Sequence, residues 1–158
     1  MNTINYIQLN AAKSKKVAAS LQQLLADFQI YYTNLRGFHW NVKGEAFFAL
    51  HSKFEELYDD AAEKVDEIAE RILMLGETPE NKFSAYLKVS KIEEVGALSD
   101  AKTIISKILD NLKVLIAEER SILEQASDGG DESTVALMSD YLREQEKLVW
   151  MLVAGLSK

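Results

Sequence analysis

Two histidines and three acidic residues carry the spacing of a metal site. His39 and His51 are the only histidines in the chain. His51 and Glu55 are four residues apart, and Asp66 and Glu70 repeat that spacing, so each pair shares one face of a helix. Mixed imidazole and carboxylate ligands suit Fe(II), Mn(II) or Zn(II), whereas Ca(II) and Mg(II) prefer oxygen ligands alone. These residues therefore predict a transition-metal site.

The two helical pairs cannot reach the same ion within one chain. Glu55 and Asp66 are 11 residues apart, close to three turns, so they point the same way. That spacing separates them by roughly 16 Å along the helix axis, whereas a metal–ligand bond is only about 2 Å long. At least one of the pairs must therefore find its other ligands elsewhere.

The spacing is symmetric, and this suggests how the pairs meet. His51 and Glu70 lie at equal distances from the middle of the segment, and so do Glu55 and Asp66. A second copy of the helix, laid antiparallel across a two-fold axis, brings the histidine pair of one chain to the acidic pair of the other. An isologous interface of this kind contains two identical sites. Small residues at its centre, Ala61 and Ala62, would allow close backbone approach.

Simpler interpretations of the same residues exist. Acidic residues four apart are common on solvated helix faces. A lone histidine is more often a packing or surface residue than a metal ligand. Both alternatives remain open at the level of sequence, and in the second the chain is a purely structural helical assembly.

The elements that position these residues are four long helices. Apolar residues at helical spacing predict helices over about 10–41, 45–75, 99 or 100–125 and 132–154. Gly44 and Gly76 favour helix ends, and Pro79 prevents continuation of the second helix. Residues 77–98 form a long connection in which residues 84–90 and the segment KIEEV each favour a short helical turn. Short, long and short links predict the ferritin-like four-helix bundle, with the second and third helices parallel.

Composition limits the protein to a few classes. The 158 residues, 47% hydrophobic and 27% charged, suit one domain over 1–158. No cysteine is present, which excludes disulfides, thiolate metal sites and cysteine nucleophiles. No apolar run approaches the roughly 20 residues of a membrane helix, and no signal-peptide pattern opens the chain, so a cytoplasmic protein is expected. The net charge of −7 argues against broad DNA binding.

Several motifs make the chain resemble the Dps family, the mini-ferritins named as DNA-binding proteins from starved cells. The resemblance is most specific from the first long helix to Gly76, and in outline it covers most of the chain. The motifs that carry it are FHWNVKG (38–44), FFALH (47–51), FEELY (54–58) and DEIAERI (66–72), supported by Thr78-Pro79, SAYL (84–87) and EKLVW (146–150).

This resemblance implies a function and a ligand set. It implies a hollow, dodecameric shell that oxidises Fe(II), preferably with hydrogen peroxide and otherwise with dioxygen, and stores ferric mineral inside. The iron ligands it implies are His39 and His51 from one subunit, Asp66 and Glu70 from the two-fold partner, and Glu55 beside them, where relatives often carry Asp; Zn or Mn could occupy the same site. Trp40 matches a tryptophan that can quench oxidising radicals, or it simply packs. Full-size ferritins instead carry a Glu-x-x-His motif, which is absent because Arg36 and Phe48 lie three residues before the histidines.

Iron entry and DNA binding complete the expectations. Asp128, Asp131 and Glu132 either line a three-fold pore that attracts cations or serve as cap and first-turn charges of the last helix. The only basic cluster is Lys13, Lys15 and Lys16. Little or no direct DNA binding is therefore expected. A nucleoid-binding protein with a vestigial metal site is the alternative class.

Overall fold

The chain folds into a helical bundle. The computed structural model describes residues 3–157 and contains no β-strand over that range. Residues 1, 2 and 158, which the predicted domain includes, lie outside the described part. The helices are α1 (Ile4–Ile7), α2 (Ala11–Asn41), α3 (Phe47–Met74), α4 (Phe83–Val89), α5 (Ala101–Asp128) and α6 (Glu132–Leu156). The predicted all-helical fold with four long helices is confirmed. α1 was not predicted.

Contacts between helix ends define the topology. The start of α2 meets the end of α5, where Lys13 Nζ lies 3.2 Å from an Asp128 carboxylate oxygen. The far end of α2 meets the start of α5 through a parallel bridge between Lys43 and Asp100. α2 and α5 are therefore antiparallel. Since α3 returns from α2 through a short loop, α3 and α5 run parallel, as the long link predicted.

The long connection follows α2 from its first half to its end. Asp27, fully buried in α2, accepts hydrogen bonds from the backbone amides of Lys91 and Ile92 at 2.6 and 3.0 Å. Further along, Asn34 donates to the Glu93 carbonyl at 2.9 Å and accepts from the Val95 amide at 2.9 Å. These side chains satisfy the backbone groups of the KIEEV segment. The short helix predicted there is therefore wrong, whereas the turn predicted at residues 84–90 is confirmed as α4.

α2 is the central helix, because α3, α4 and α5 all pack against it. The largest fully buried side chains are drawn from α2, α3 and α5: Phe28, Phe38, Phe54, Leu21, Leu24, Leu25, Ile30, Leu35, Ile68, Ile72, Ile104 and Ile108. No helix in the described part of the chain is long and apolar enough to cross a bilayer.

Candidate metal centre

The α2–α3 hairpin brings the two histidines together. α2 ends at Asn41, and Gly44 turns the chain with a positive φ of 111°, a conformation that side chains disfavour. The Phe47 amide then donates to the Gly44 carbonyl at 3.0 Å, and α3 begins. This loop sets the register of the two helices so that His39 and His51 face each other.

Each histidine is held by the backbone of the other. His39 Nδ1 lies 2.7 Å from the His51 carbonyl oxygen, and His51 Nδ1 lies 2.8 Å from the His39 carbonyl oxygen. A carbonyl oxygen can only accept, so both Nδ1 atoms carry the proton. In the neutral rings, both Nε2 atoms then offer a lone pair. Metal-ligating histidines commonly show this pattern, in which the second ring nitrogen donates to a carbonyl that fixes the tautomer.

The two rings form a compact ligand pair. Their centroids are 3.7 Å apart and their planes differ by 19°. His39 is buried, with 8% of its surface exposed, and the Phe47 ring stacks on His51 with a centroid distance of 5.1 Å. The stacked arrangement places both imidazoles in one compact region at the α2–α3 hairpin.

The acidic residues divide as the helix geometry predicted. Glu55 lies one turn after His51. Partial burial of Tyr58 raises the pKa of its hydroxyl, and the nearby carboxylate of Glu55 raises that pKa further. Asp66 and Glu70 lie further along α3, which runs unbroken from Phe47 to Met74, and there they are exposed. Within residues 3–157, no group of three His, Asp or Glu side chains of one chain is close enough to hold an ion.

The centre of the exposed side of α3 differs from the prediction. Ala61 has no exposed surface, because it packs into the core of its own chain. It cannot touch a partner, so its predicted place at an interface is wrong. Ala62 is exposed and remains available for close helix approach.

Three aromatic or basic residues near the histidines were missed by the sequence analysis. The ring of Tyr58 meets His39 edge-on at 5.3 Å. Arg36 lies over the rings of Tyr32 at 5.3 Å and Trp40 at 5.0 Å. Trp40 is 63% exposed in the single chain, so packing inside its own core does not explain it. Helical spacing was the available signal, because Tyr58 follows His51 by two turns.

The three acids considered for a pore have unequal roles. Asp131 is buried and caps α6 by accepting from the Thr134 amide at 3.0 Å, and it pairs with Arg71 at 2.6 Å. Its carboxylate therefore serves to stabilise the fold, as the helix-cap alternative predicted. Asp128 and Glu132 are exposed.

Comparisons with known proteins point to one family. A model of the ferritin-like domain matches residues 18–158. The "DNA protection during starvation protein" of Porphyromonas gingivalis is 50% identical over 155 residues, which cover 96% of this chain and 98% of that protein. The chain belongs to the Dps family of ferritin-like proteins. The predicted family is thereby confirmed.

Solved structures of Dps proteins share the fold at high and at low sequence identity. The Dps protein from Vibrio cholerae O1 is 50% identical, with a TM-score of 0.92 and coverage of 94% of both chains. It is described as a member of a broad superfamily of ferritin-like diiron-carboxylate proteins. A zinc-soaked Dps from Listeria innocua has a TM-score of 0.86 at 26% identity, covering 90% of this chain and 97% of that one.

Proposed function

We propose that the protein is a ferroxidase that oxidises Fe(II), preferably with hydrogen peroxide, and stores the ferric product inside a shell of identical chains. The observation that carries this proposal is the histidine pair, whose Nδ1 atoms are both bonded to backbone carbonyls and whose Nε2 atoms are left for metal. Family membership supports iron as the metal. Zn(II) and Mn(II) fit the same ligands and would compete with iron.

The residues of the site would have distinct roles. His39 and His51 bind Fe(II) as neutral ligands, and Glu55 adds a carboxylate one turn away. Asp66 and Glu70 of a second chain neutralise the charge of the ions. Peroxide takes one electron from each of a pair of ferrous ions and, with two protons, yields water. Fe(II) and hydrogen peroxide, the two reagents that generate hydroxyl radicals, are both consumed. This would protect nearby DNA even if the protein does not bind it.

The proposal requires a second chain at each site. An antiparallel crossing of two α3 helices about a two-fold axis would bring the acids at residues 66 and 70 of one chain to the histidines of the other. The family supports a dodecamer in which each two-fold interface holds two such sites. Asp128 and Glu132 would face the iron-entry pore, with Asp131 holding the start of α6 in place.

A mixing experiment tests the shared site directly. We consider one variant carrying His39→Ala and His51→Ala, and another carrying Asp66→Asn and Glu70→Gln. Each alone should oxidise Fe(II) at the background rate. After both are unfolded and reassembled together, half of the dimers are mixed and each mixed dimer has one intact site. The rate should then recover to about a quarter of the wild-type rate.

The outcomes separate the alternatives. Peroxide-dependent oxidation is followed by stopped-flow absorbance after anaerobic loading of Fe(II), and native mass confirms assembly. Glu56→Gln, an exposed acid beside Glu55, is the matched control and should keep the wild-type rate. A rate that stays at background in mixed particles would refute the shared site. A wild-type rate in the double histidine variant would refute the ferroxidase assignment and favour a structural assembly.

Direct DNA binding is expected to be weak. Lys13, Lys15 and Lys16 lie near the start of α2, and Lys13 is already paired with Asp128. With −7 per chain repeated around a shell, the phosphate backbone would be repelled at physiological salt. Stoichiometric retention of DNA in a gel shift at moderate salt would favour the nucleoid-binding alternative. A cytoplasmic location remains part of the proposal.

A further inference from the structure

A guanidinium lies against two aromatic rings close to the histidine pair. The central carbon of the Arg36 guanidinium lies over the ring of Tyr32, 5.3 Å from its centre, and over the ring of Trp40, 5.0 Å from its centre. The three residues follow one another at intervals of four along α2, so they share one face of the helix. Arg36 precedes His39 by three residues, which places this cation beside the candidate metal ligands.

The charge of Arg36 is not paired with an acid of its own chain. Each of the other arginines forms an ion pair with a carboxylate: Arg71 with Asp131, Arg120 with Glu146, and Arg143 with Asp140. Arg36 has no such pair within the described part of the chain, and its Nε is buried without a hydrogen bond. The guanidinium therefore keeps its full charge next to the two rings.

Trp40 is the ring for which this charge has a chemical consequence. Its indole is 63% exposed and directly follows His39 in the chain. One-electron oxidants form whenever a single Fe(II) reduces hydrogen peroxide. An indole that meets such an oxidant transfers one electron to it, becomes a radical cation and then releases its N–H proton to water. A second positive charge about 5 Å away opposes this electron loss, because like charges repel.

We propose that Arg36 protects Trp40 from one-electron oxidation. Before oxidation, the guanidinium is attracted to the negative face of the indole ring. After loss of an electron, this attraction becomes a repulsion, so both states of the ring make the step less favourable. Trp40 thereby stays intact beside a site that meets peroxide, and the oxidant is left for Fe(II). The source of the oxidant rests on the proposed function, whereas the effect of the charge on the ring does not.

A neutral oxidant applied to the assembled, iron-free protein isolates the effect of the charge. Azide radicals generated by radiolysis take one electron from indole, become azide ions and are not attracted to a cation. Trp150 on α6 is the internal reference, because it is 66% exposed and no cation lies over its ring within residues 3–157. Peptide mass spectrometry gives the loss of Trp40 relative to that of Trp150. In Arg36→Gln this ratio should rise by about threefold to tenfold over wild type.

Two further variants separate charge from simple coverage of the ring. Arg36→Lys keeps a positive charge and should keep most of the protection. Lys88→Gln removes an exposed charge of α4 that lies over neither indole, and it should behave as wild type. An unchanged ratio in Arg36→Gln would overturn the proposal, as would equal rises in Arg36→Gln and Arg36→Lys. If Arg36→Gln does not fold, Arg36→Leu removes the charge, keeps an apolar contact with the rings and is irradiated in the same way.

The source of the oxidant is tested apart from the charge. The ratio of Trp40 loss to Trp150 loss is measured again while Fe(II) is oxidised by hydrogen peroxide, and the loss is expressed per Fe(II) oxidised. A rise in Arg36→Gln with both oxidants supports the inference and the ferroxidase site together. A rise with azide radicals alone supports the protection by Arg36 and counts against the proposed source of the oxidant.

Discussion

Glu119→Gln should change how stability depends on pH. Burial raises the pKa of Glu119 from its ordinary 4.5 to about 8, and the hydrogen bond from Gln145 and the charge of Lys64 only partly oppose this. The groups that interact with the carboxyl from the other helices are Tyr31 on α2, Lys64 on α3, and Tyr141 and Gln145 on α6. The folded chain therefore holds a proton on Glu119 that the unfolded chain releases near pH 4.5.

The sign and size follow from proton linkage. Between the two pKa values the folded state binds more protons, so the free energy of unfolding falls as pH rises. The stabilisation is complete below the unfolded pKa and is lost as pH rises through about 8. The slope approaches about 1.4 kcal/mol per pH unit. From pH 6 to pH 8 the wild type should lose about 2 kcal/mol per chain relative to a variant that cannot ionise there.

Chemical denaturation of wild type and Glu119→Gln at several pH values measures this difference. Chain concentration must be the same throughout, because assembly also stabilises the chain. The amide introduced by the substitution keeps an oxygen that can accept from Gln145 and has no proton to release. Glu118, whose burial raises its pKa to about 7, titrates in both proteins, so its own contribution to the pH dependence is common to the two curves apart from its charge interaction with Glu119. Parallel stability curves for the two proteins between pH 6 and pH 8 would refute the reasoning.

Two further predictions concern the fold around the bundle. Asp131→Ala removes the cap of α6 and leaves the Arg71 guanidinium without its carboxylate, so the free energy of unfolding measured with denaturant should fall by about 3–5 kcal/mol. As a control, Asp128→Ala, at an exposed position, should change it by less than about 0.5 kcal/mol. Equal losses in the two variants would contradict this prediction. Asp27→Ala removes the carboxylate that binds the amides of Lys91 and Ile92, so limited proteolysis should cut near residue 91 much faster than in wild type. An unchanged cleavage pattern would show that these hydrogen bonds do not hold the connection against α2.

The sequence predicted elements whose signals are local. Helical periodicity, Gly44 and Pro79 were enough for the long helices and their order. The KIEEV segment was mispredicted because Asp27 and Asn34, about 60 residues away in sequence, bind its backbone. Such pairings depend on the tertiary fold and leave no periodic signal.

The site was only partly predictable for the same reason. The sequence marked His39 and His51 as candidate ligands, but the hydrogen bond from each ring to the other histidine's carbonyl depends on the register of two packed helices. Lys64, which is only 3% exposed, was also missed, because one lysine on a charged helix is typical of a solvated residue. Its burial follows from the position of α6.

Because each histidine ring bonds to the backbone of the other, the orientation of both rings depends on the loop that connects α2 and α3. Both imidazoles take their orientation from the same inter-helix register, so an insertion between Val42 and Ala46 that shifts this register would break both histidine–carbonyl hydrogen bonds together. If the surface turn absorbs the added residue instead, the register and both bonds are kept. The two imidazoles therefore respond to a change in this loop as one unit.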